Sequence, residues 1–303
     1  MKNMIEVNHF SKSYGNFKAV DDVSFEVKEG AIFAFLGPNG AGKSTTINTL
    51  CTILDKTSGE MMINGHDVAK HKDLVRKDIG IVFQETTLDA KLTVEENLKF
   101  HCKFYKVPKQ EVAERINYVL TLVDLMDWKK APVGSLSGGM KRRVEIARGL
   151  VHYPKVLFLD EPTAGLDPQT RANVWEYICK LQKQKNITIF LTTHYMDEAE
   201  ISSSVAIIDH GKIAAFDSPE NLKNKYASSV MQIRCTQTQE LDNFLKAQAM
   251  DYKFVDDQFT IQTKTNKAIE LLSRFKENIT DFEFNKGTLN EVFLTVTGKG
   301  IRE

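Results

Sequence analysis

Cysteine is scarce in this chain of 303 residues: Cys51, Cys102, Cys179 and Cys235 are widely spaced and form no CxxC pair. That pattern fits neither a disulfide framework nor a thiolate metal site, and reduced, mostly buried thiols are expected. Proline is sparse as well, with 7 residues beside 17 glycines, which excludes collagen-like and proline-rich rods. Excess charge of one sign is missing altogether, because 40 Lys and Arg balance 40 Asp and Glu for a formal net charge of +0. Broad attachment to nucleic acid needs a basic field that displaces counterions, so no nucleic-acid partner is expected. Long hydrophobic runs are lacking too, since uncharged stretches such as 31–42 and 186–196 fall short of the roughly 18 apolar residues that cross a bilayer. The opening MKNMIEVNHF carries charge where a secretory signal has its apolar segment, which argues for a cytoplasmic protein. The length suggests about two domains at roughly 150 residues each.

What is present is a recurrence. Four short apolar runs each lead directly into polar residues of catalytic type: AIFAFL into GPNGAGKST, IGIVF into Gln84, VLFL into Asp160 and Glu161, and ITIFLT into His194. Uniformly apolar runs of this length suit strands buried on both faces of a parallel sheet, and ligands bind beyond the carboxyl ends of such strands. The fold class expected is therefore α/β, with Lys43, Gln84, Asp160, Glu161 and His194 converging on one site.

The first run ends in G-x-x-x-x-G-K-[ST], spanning Gly37, Pro38, Asn39, Gly40, Ala41, Gly42, Lys43 and Ser44. Glycines let backbone N–H groups turn inward around phosphates, and the helix that follows presents a positive N-terminus. Lys43 supplies a point charge between the β- and γ-phosphates, the Ser44 hydroxyl is a magnesium ligand, and Thr45 adds a further phosphate contact. The spacing differs from G-x-G-x-x-G, which disfavours a nicotinamide dinucleotide. Asp160 is placed to hold magnesium, while the adjacent Glu161 is free to polarise a water. Upstream, Ser137, Gly138 and Gly139 open a helix and form a second anion-binding N-terminus. The following Lys141, Arg142 and Arg143 are expected on a solvated face.

Taken together and in order, GPNGAGKST, Gln84, LSGG, VLFLDEP, GLD and TTH resemble the Walker A, Q-loop, signature, Walker B, D-loop and H-loop motifs of an ATP-binding cassette (ABC) transporter subunit. SGGMKRRVEIARGL and TLNEVFLTVTG are most similar to the daunorubicin-resistance branch, multidrug or antibiotic exporters with ABC-2 type permeases. The resemblance implies ATP and Mg2+ as cofactors, a P-loop cassette with an N-terminal antiparallel β subdomain, and an α-helical signature subdomain at about 86–150. It implies that Tyr14 stacks on adenine, Gln84 senses magnesium and the attacking water, Glu161 is the catalytic base, His194 holds the γ-phosphate, and Asp167 lies at a dimer junction. Met140 stands where the family commonly has glutamine. Ser137 and Gly139 would contact the phosphate bound by an opposite subunit, so a head-to-tail homodimer or heterodimer is implied. The permease would be a separate chain, reached through the segment from Gln84 and Glu85 to Leu92, with the cassette peripheral on the inner face of the membrane.

The cassette is expected at 1–225. Residues 226–303 carry a β-α-β-β-α-β pattern and a closing helix, which suggests a small ferredoxin-like accessory domain without catalytic residues. Two other functions compete with the transport ATPase: a soluble cassette ATPase acting on DNA or ribosomes, and a low-turnover nucleotide-dependent regulator. The first lacks the long insertions or second cassette such members carry, and intact Glu161 and His194 argue against the second.

Overall fold

The computed structural model describes residues 2–298. Its contacts divide the chain between Asp217 and Ser218. In the first unit, β1 (Asn3–Tyr14) and β2 (Phe17–Lys28) form a hairpin. Ile5 and Val7 face one side, and Phe10 rejoins them after a bulge where His9 has φ 51°. The fully buried β3 (Ile32–Leu36) leads into α1 (Lys43–Leu50), and β4 (Ser58–Ile63) with the short β5 (His66–Asp67) completes an antiparallel sheet in the order β2-β1-β4-β5. Next come α2 (Lys72–Asp78) and β6 (Ile79–Val82).

A helical subdomain follows, built from α3 (Val94–Phe104), α4 (Val112–Leu122) and α5 (Gly138–Leu150), with 3-10 turns at Met126–Trp128 and Val133–Ser135. The apolar pattern of α4 runs on to Met126, but the helix stops at Leu122 because Asp124 takes the left-handed conformation at φ 54°. Then come β7 (Val156–Asp160), α6 (Pro168–Lys185), β8 (Thr188–Thr193), α7 (Met196–Glu200), β9 (Ser204–Asp209) and β10 (Lys212–Asp217). They complete a six-stranded sheet in the order β10-β9-β3-β8-β7-β6, parallel except where β10 returns along β9.

An aromatic column joins the two sheets. Phe25 stacks on Phe33 at 5.0 Å, Phe33 on Phe190 at 5.0 Å, and Phe158 lies 5.4 Å from Phe190. Each such pair adds about 1 kcal/mol beyond simple burial. On the other side α5 approaches β6 at two glycines: a Cβ on Gly80 would sit 2.1 Å from the Gly149 carbonyl oxygen, so no side chain fits. The two tryptophans differ sharply in setting, Trp175 of α6 being 5% exposed and Trp128 in the 3-10 turn 45% exposed. Cys51 and Cys102 are buried, whereas Cys179 and Cys235 are only half-buried.

The second unit begins with α8 (Pro219–Tyr226), capped by Ser218, whose side chain accepts from the Asn221 N–H. It continues through β11 (Val230–Cys235), α9 (Thr238–Ala247), β12 (Tyr252–Val255), β13 (Gln258–Gln262), α10 (Thr265–Arg274), β14 (Ile279–Asn285) and α11 (Leu289–Thr297). The strands form an antiparallel sheet in the order β12-β13-β11-β14, so the two edge strands flank a centre drawn from the first and third. Met231, Ile233, Phe259 and Ile261 pack with Leu241, Leu245, Ala268 and Leu271 in a core of this unit's own. A division after residue 225 would cut α8 near its end. That helix belongs to the second unit, where it packs along α11, and its Leu222 is buried. Residues 299–303 of the expected accessory domain lie outside the described residues.

Candidate active site

Strand order brings the chemistry together. Neighbouring strands β3, β8, β7 and β6 end respectively in the phosphate loop, His194, Asp160 with Glu161, and, one residue past the strand, Phe83 followed by Gln84. With parallel strands about 4.8 Å apart, residues far separated in sequence become neighbours along one sheet edge.

The loop after β3 is shaped by glycines with different tasks. A Cβ on Gly37 would lie 2.4 Å from the Ile208 carbonyl oxygen, so this position admits only glycine. Gly40 has φ +80° with open space where a Cβ would project, and Gly42 caps α1 at φ 106° without any side-chain hydrogen bond to the helix end. The first turn of α1 is thus left to offer its N–H groups outward. Ser44 is exposed and Thr45 half-buried in that turn, Asn39 is exposed, Pro38 half-buried, and Ala41 is buried against the fold. Lys43 is 4% exposed, and its ammonium donates to the Gly37 carbonyl at 2.7 Å and the Pro38 carbonyl at 3.1 Å. Burial pulls its pKa down, opposed by Glu161 and Asp160.

Glu161 is the hub. One carboxylate oxygen lies 3.4 Å from the Lys43 ammonium; the other accepts from the Gln84 amide at 3.2 Å and stands 3.4 Å from His194 Nδ1. That last contact is not a hydrogen bond, and Nδ1 is buried with no hydrogen-bond partner among the described residues. The Glu161 backbone is left-handed at φ 44°, which costs an L residue about 1 kcal/mol. It is held there by its N–H, which donates to the Thr192 carbonyl and hydroxyl, each at 3.1 Å. Asp160, 7% exposed, accepts from the Thr192 hydroxyl, and burial pushes its carboxyl pKa up.

These residues fit a magnesium nucleotide. Asp160 and Ser44 are hard oxygen donors of the kind magnesium takes, and a cation beside Asp160 would offset the burial that raises its pKa. Among the described residues no group of three or more His, Cys, Asp or Glu is placed to hold a metal ion. The open side of Gly40, the uncapped helix and the orphan nitrogen of His194 are all suited to an anion.

The remaining residues lie further out. Tyr14 ends β1 with 47% of its surface exposed and the Lys12 ammonium 5.1 Å above its ring. Ser137 caps α5, its hydroxyl accepting from the Met140 N–H at 3.3 Å, and Gly138 is exposed beside it. Gly139 is buried for a local reason: a Cβ there would strike the Thr170 methyl at 2.3 Å. Asp167 caps α6 by accepting the Thr170 N–H at 3.0 Å; the Thr170 hydroxyl and then this N–H hold its carboxyl below the usual range, and Pro168 fills the first turn.

The expected solvated face of Lys141, Arg142 and Arg143 fails at Arg142, which is 7% exposed. It shares one side of α5 with the buried Glu145, Ile146 and Gly149, a helical spacing visible in the sequence had the guanidinium been allowed as a core group. Its N–H groups donate to the carbonyls of Phe83, Asp160, Glu161 and Pro162 and to the Glu145 carboxylate.

A phosphate loop after β3 and a carboxylate pair at the end of β7, parallel strands with only β8 between them, beside an inserted helical signature subdomain, define a P-loop cassette ATPase. Comparison with known proteins makes this specific. The ABC transporter family model matches residues 20–164. The daunorubicin/doxorubicin resistance ATP-binding protein DrrA of Streptomyces peucetius is 34% identical, over 97% of this chain and 92% of its own length. Linearmycin resistance ATP-binding protein LnrL of Bacillus subtilis is 38% identical over 72% of this chain and 70% of its own. Among solved structures, cbiO1 from Clostridium perfringens, part of the cbiONQ complex, aligns with a TM-score of 0.69 and 28% identity over 82% of this chain and 96% of its own. The dimeric post-hydrolysis state of the MJ0796 cassette bound to ADP and Pi aligns at 0.64, with 28% identity over 71% of this chain and 98% of its own. The chain belongs to the ABC transporter family as one of its ATP-binding proteins, an ATPase that powers transport.

Proposed function

We propose that this chain is the motor of a drug, antibiotic or lipid-like exporter, hydrolysing Mg-ATP between two cassettes and passing the closure to an ABC-2 type permease on a separate chain. The observation that carries the reading is the convergence of Lys43, Gln84 and His194 on the Glu161 carboxylate. When bound, Mg-ATP supplies the γ-phosphoryl group and a divalent charge that offsets the charge developing on it. Lys43 and the N–H groups of residues 39, 40 and 42–45 bind the phosphates, Tyr14 stacks on the adenine, and Ser44, Asp160 and Gln84 hold the metal. Glu161 accepts the proton of the attacking water, and His194, whose Nδ1 has no hydrogen-bond partner among the described residues, orients toward the transferred group.

One phosphate loop and one signature per chain support a head-to-tail dimer, in which Ser137, Gly138 and Gly139 of one copy close over the phosphates held by the other, with Asp167 at the junction. The resistance functions named for DrrA and LnrL support the substrate class. No helix among the described residues is long and apolar enough to cross a membrane, so the transport path is assigned to a partner, with this chain at its cytoplasmic face. Exposed Glu85 and Thr86, together with Phe100 and Phe104 of α3 at 70% and 71% exposure, offer an apolar and acidic surface for that partner. The unit from Ser218 onward is assigned a scaffolding role.

The test is Glu161→Gln. Turnover is expected to fall at least about a hundredfold while ATP still drives dimer formation seen by size-exclusion chromatography. Wild-type turnover in that variant would overturn the assignment of the base.

A further inference from the structure

Arg142 spends its whole donor inventory on a few atoms beside the active site. Its Nε donates to the Pro162 carbonyl, one terminal nitrogen to the Phe83 carbonyl and, at 2.9 Å, to Glu145, and the other to the carbonyls of Asp160 and Glu161, both at 3.2 Å. Five N–H groups therefore meet five oxygens, a match that only a planar guanidinium provides, since a lysine has three donors at one point. Two of the acceptors carry the proposed metal ligand and base, a third is the residue after them, and a fourth immediately precedes Gln84. Glu145 extends the connection, because its second oxygen accepts from the Thr87 N–H at 2.7 Å, three residues beyond Gln84. Both side chains project from α5, the helix that Ser137 opens.

We infer that Arg142 is a positioning residue for ATP hydrolysis: from the signature helix it sets the left-handed backbone of Glu161 and the end of the Gln84 strand relative to each other. Glu161 is held from both sides, by Thr192 at its N–H and by Arg142 at its carbonyl. The side chain that must face the water is aimed by these bonds, since a positive φ at a non-glycine residue persists only where its surroundings over-determine it. A tilt of α5 is then transmitted to the carboxylate and to Gln84 at once. The inference rests on Glu161 being the base.

The experiment uses the full chain, with steady-state Mg-ATP hydrolysis, binding-site titration by a fluorescent mant-ATP probe, and thermal melting. Arg142→Lys keeps the charge and loses the fork; Glu145→Gln weakens the same assembly from its other end. Expected are a mant-ATP affinity within about twofold of wild type and a kcat per titrated site lower by about tenfold or more for Arg142→Lys, with a smaller fall for Glu145→Gln. In a Glu161→Gln background Arg142→Lys is expected to remove no further activity, because residues acting through one group are not additive. Unchanged kcat per site, or a full additive loss in that background, would overturn the inference, since a mere structural staple lowers the number of competent sites and not the turnover of each. Should Arg142→Lys fail to fold, unchanged kcat per site in Glu145→Gln overturns it instead. Full turnover in Glu161→Gln alone removes the base assignment, whereas full turnover in Arg142→Lys beside an inactive Glu161→Gln removes this inference alone.

Discussion

At the scale of single residues, the phosphate loop separates two reasons for glycine that one motif conceals. Gly37 is fixed by space, with the Ile208 carbonyl oxygen 2.4 Å from any Cβ, while Gly40 is fixed only by its backbone angle of +80°. Gly37→Ala is expected to lose about 3 kcal/mol of stability or fail to fold, whereas Gly40→Ala should lose about 1 kcal/mol and show its effect mainly in nucleotide affinity. Urea unfolding beside mant-ATP titration checks both; equal stabilities would refute the distinction. The identities of Lys43, Gln84, Asp160, Glu161 and His194 were legible because each follows an apolar run, a signal of strand ends. What stayed hidden was Arg142, since a basic triplet ordinarily faces water, and it takes the buried Glu145 carboxylate together with carbonyls gathered from distant segments to make burial of its charge tolerable.

At the scale of elements, α3 and α5 are joined by a neutral aromatic group. Tyr105, at the end of α3, stacks on His152 at 3.7 Å, and His101 lies 4.9 Å from Tyr105. Burial holds His101 down to about 3, aided by Arg148, and His152 down to about 4, against an ordinary value of 6.5, with Ile79 accepting from the His152 ring. Both folded values lie below the unfolded one, so between about pH 6.5 and pH 4 the unfolded chain binds protons that the folded chain does not, and stability falls as pH falls. The melting temperature is expected to drop by roughly 5 °C between about pH 7 and pH 5, with about half that drop in His101→Phe. A flat profile in the wild type would refute it. The sequence placed an α-helical subdomain here, and the structure adds the capping box that starts α3, where Thr93 and Glu96 each bond the other's backbone N–H. Helical periodicity could not announce the early end of α4, set by the left-handed turn at Asp124, nor the glycine contact that seats α5 on β6.

At the scale of the whole molecule, the contacts make two units that are cut cleanly at Asp217 and poorly a few residues later. A chain ending at 217 is expected to melt cooperatively and to bind mant-ATP like the full chain. One ending at 225 should aggregate more readily, because α8, with its buried Pro219 and Leu222, would lack the α11 it packs along. Loss of nucleotide binding in the shorter chain would refute the division. The loss of cassette motifs near residue 225 misplaced this boundary, since motifs end where chemistry ends and packing continues by its own rules. The two tryptophans give the molecule an optical consequence. Indole emission shifts to shorter wavelength when water is excluded, so Trp175 in its buried site and Trp128 on the helical subdomain emit in different bands, and a dissolved quencher reaches only the second. The native chain can therefore report on its signature-bearing subdomain and on α6 separately, in a fluorometer, without any attached dye.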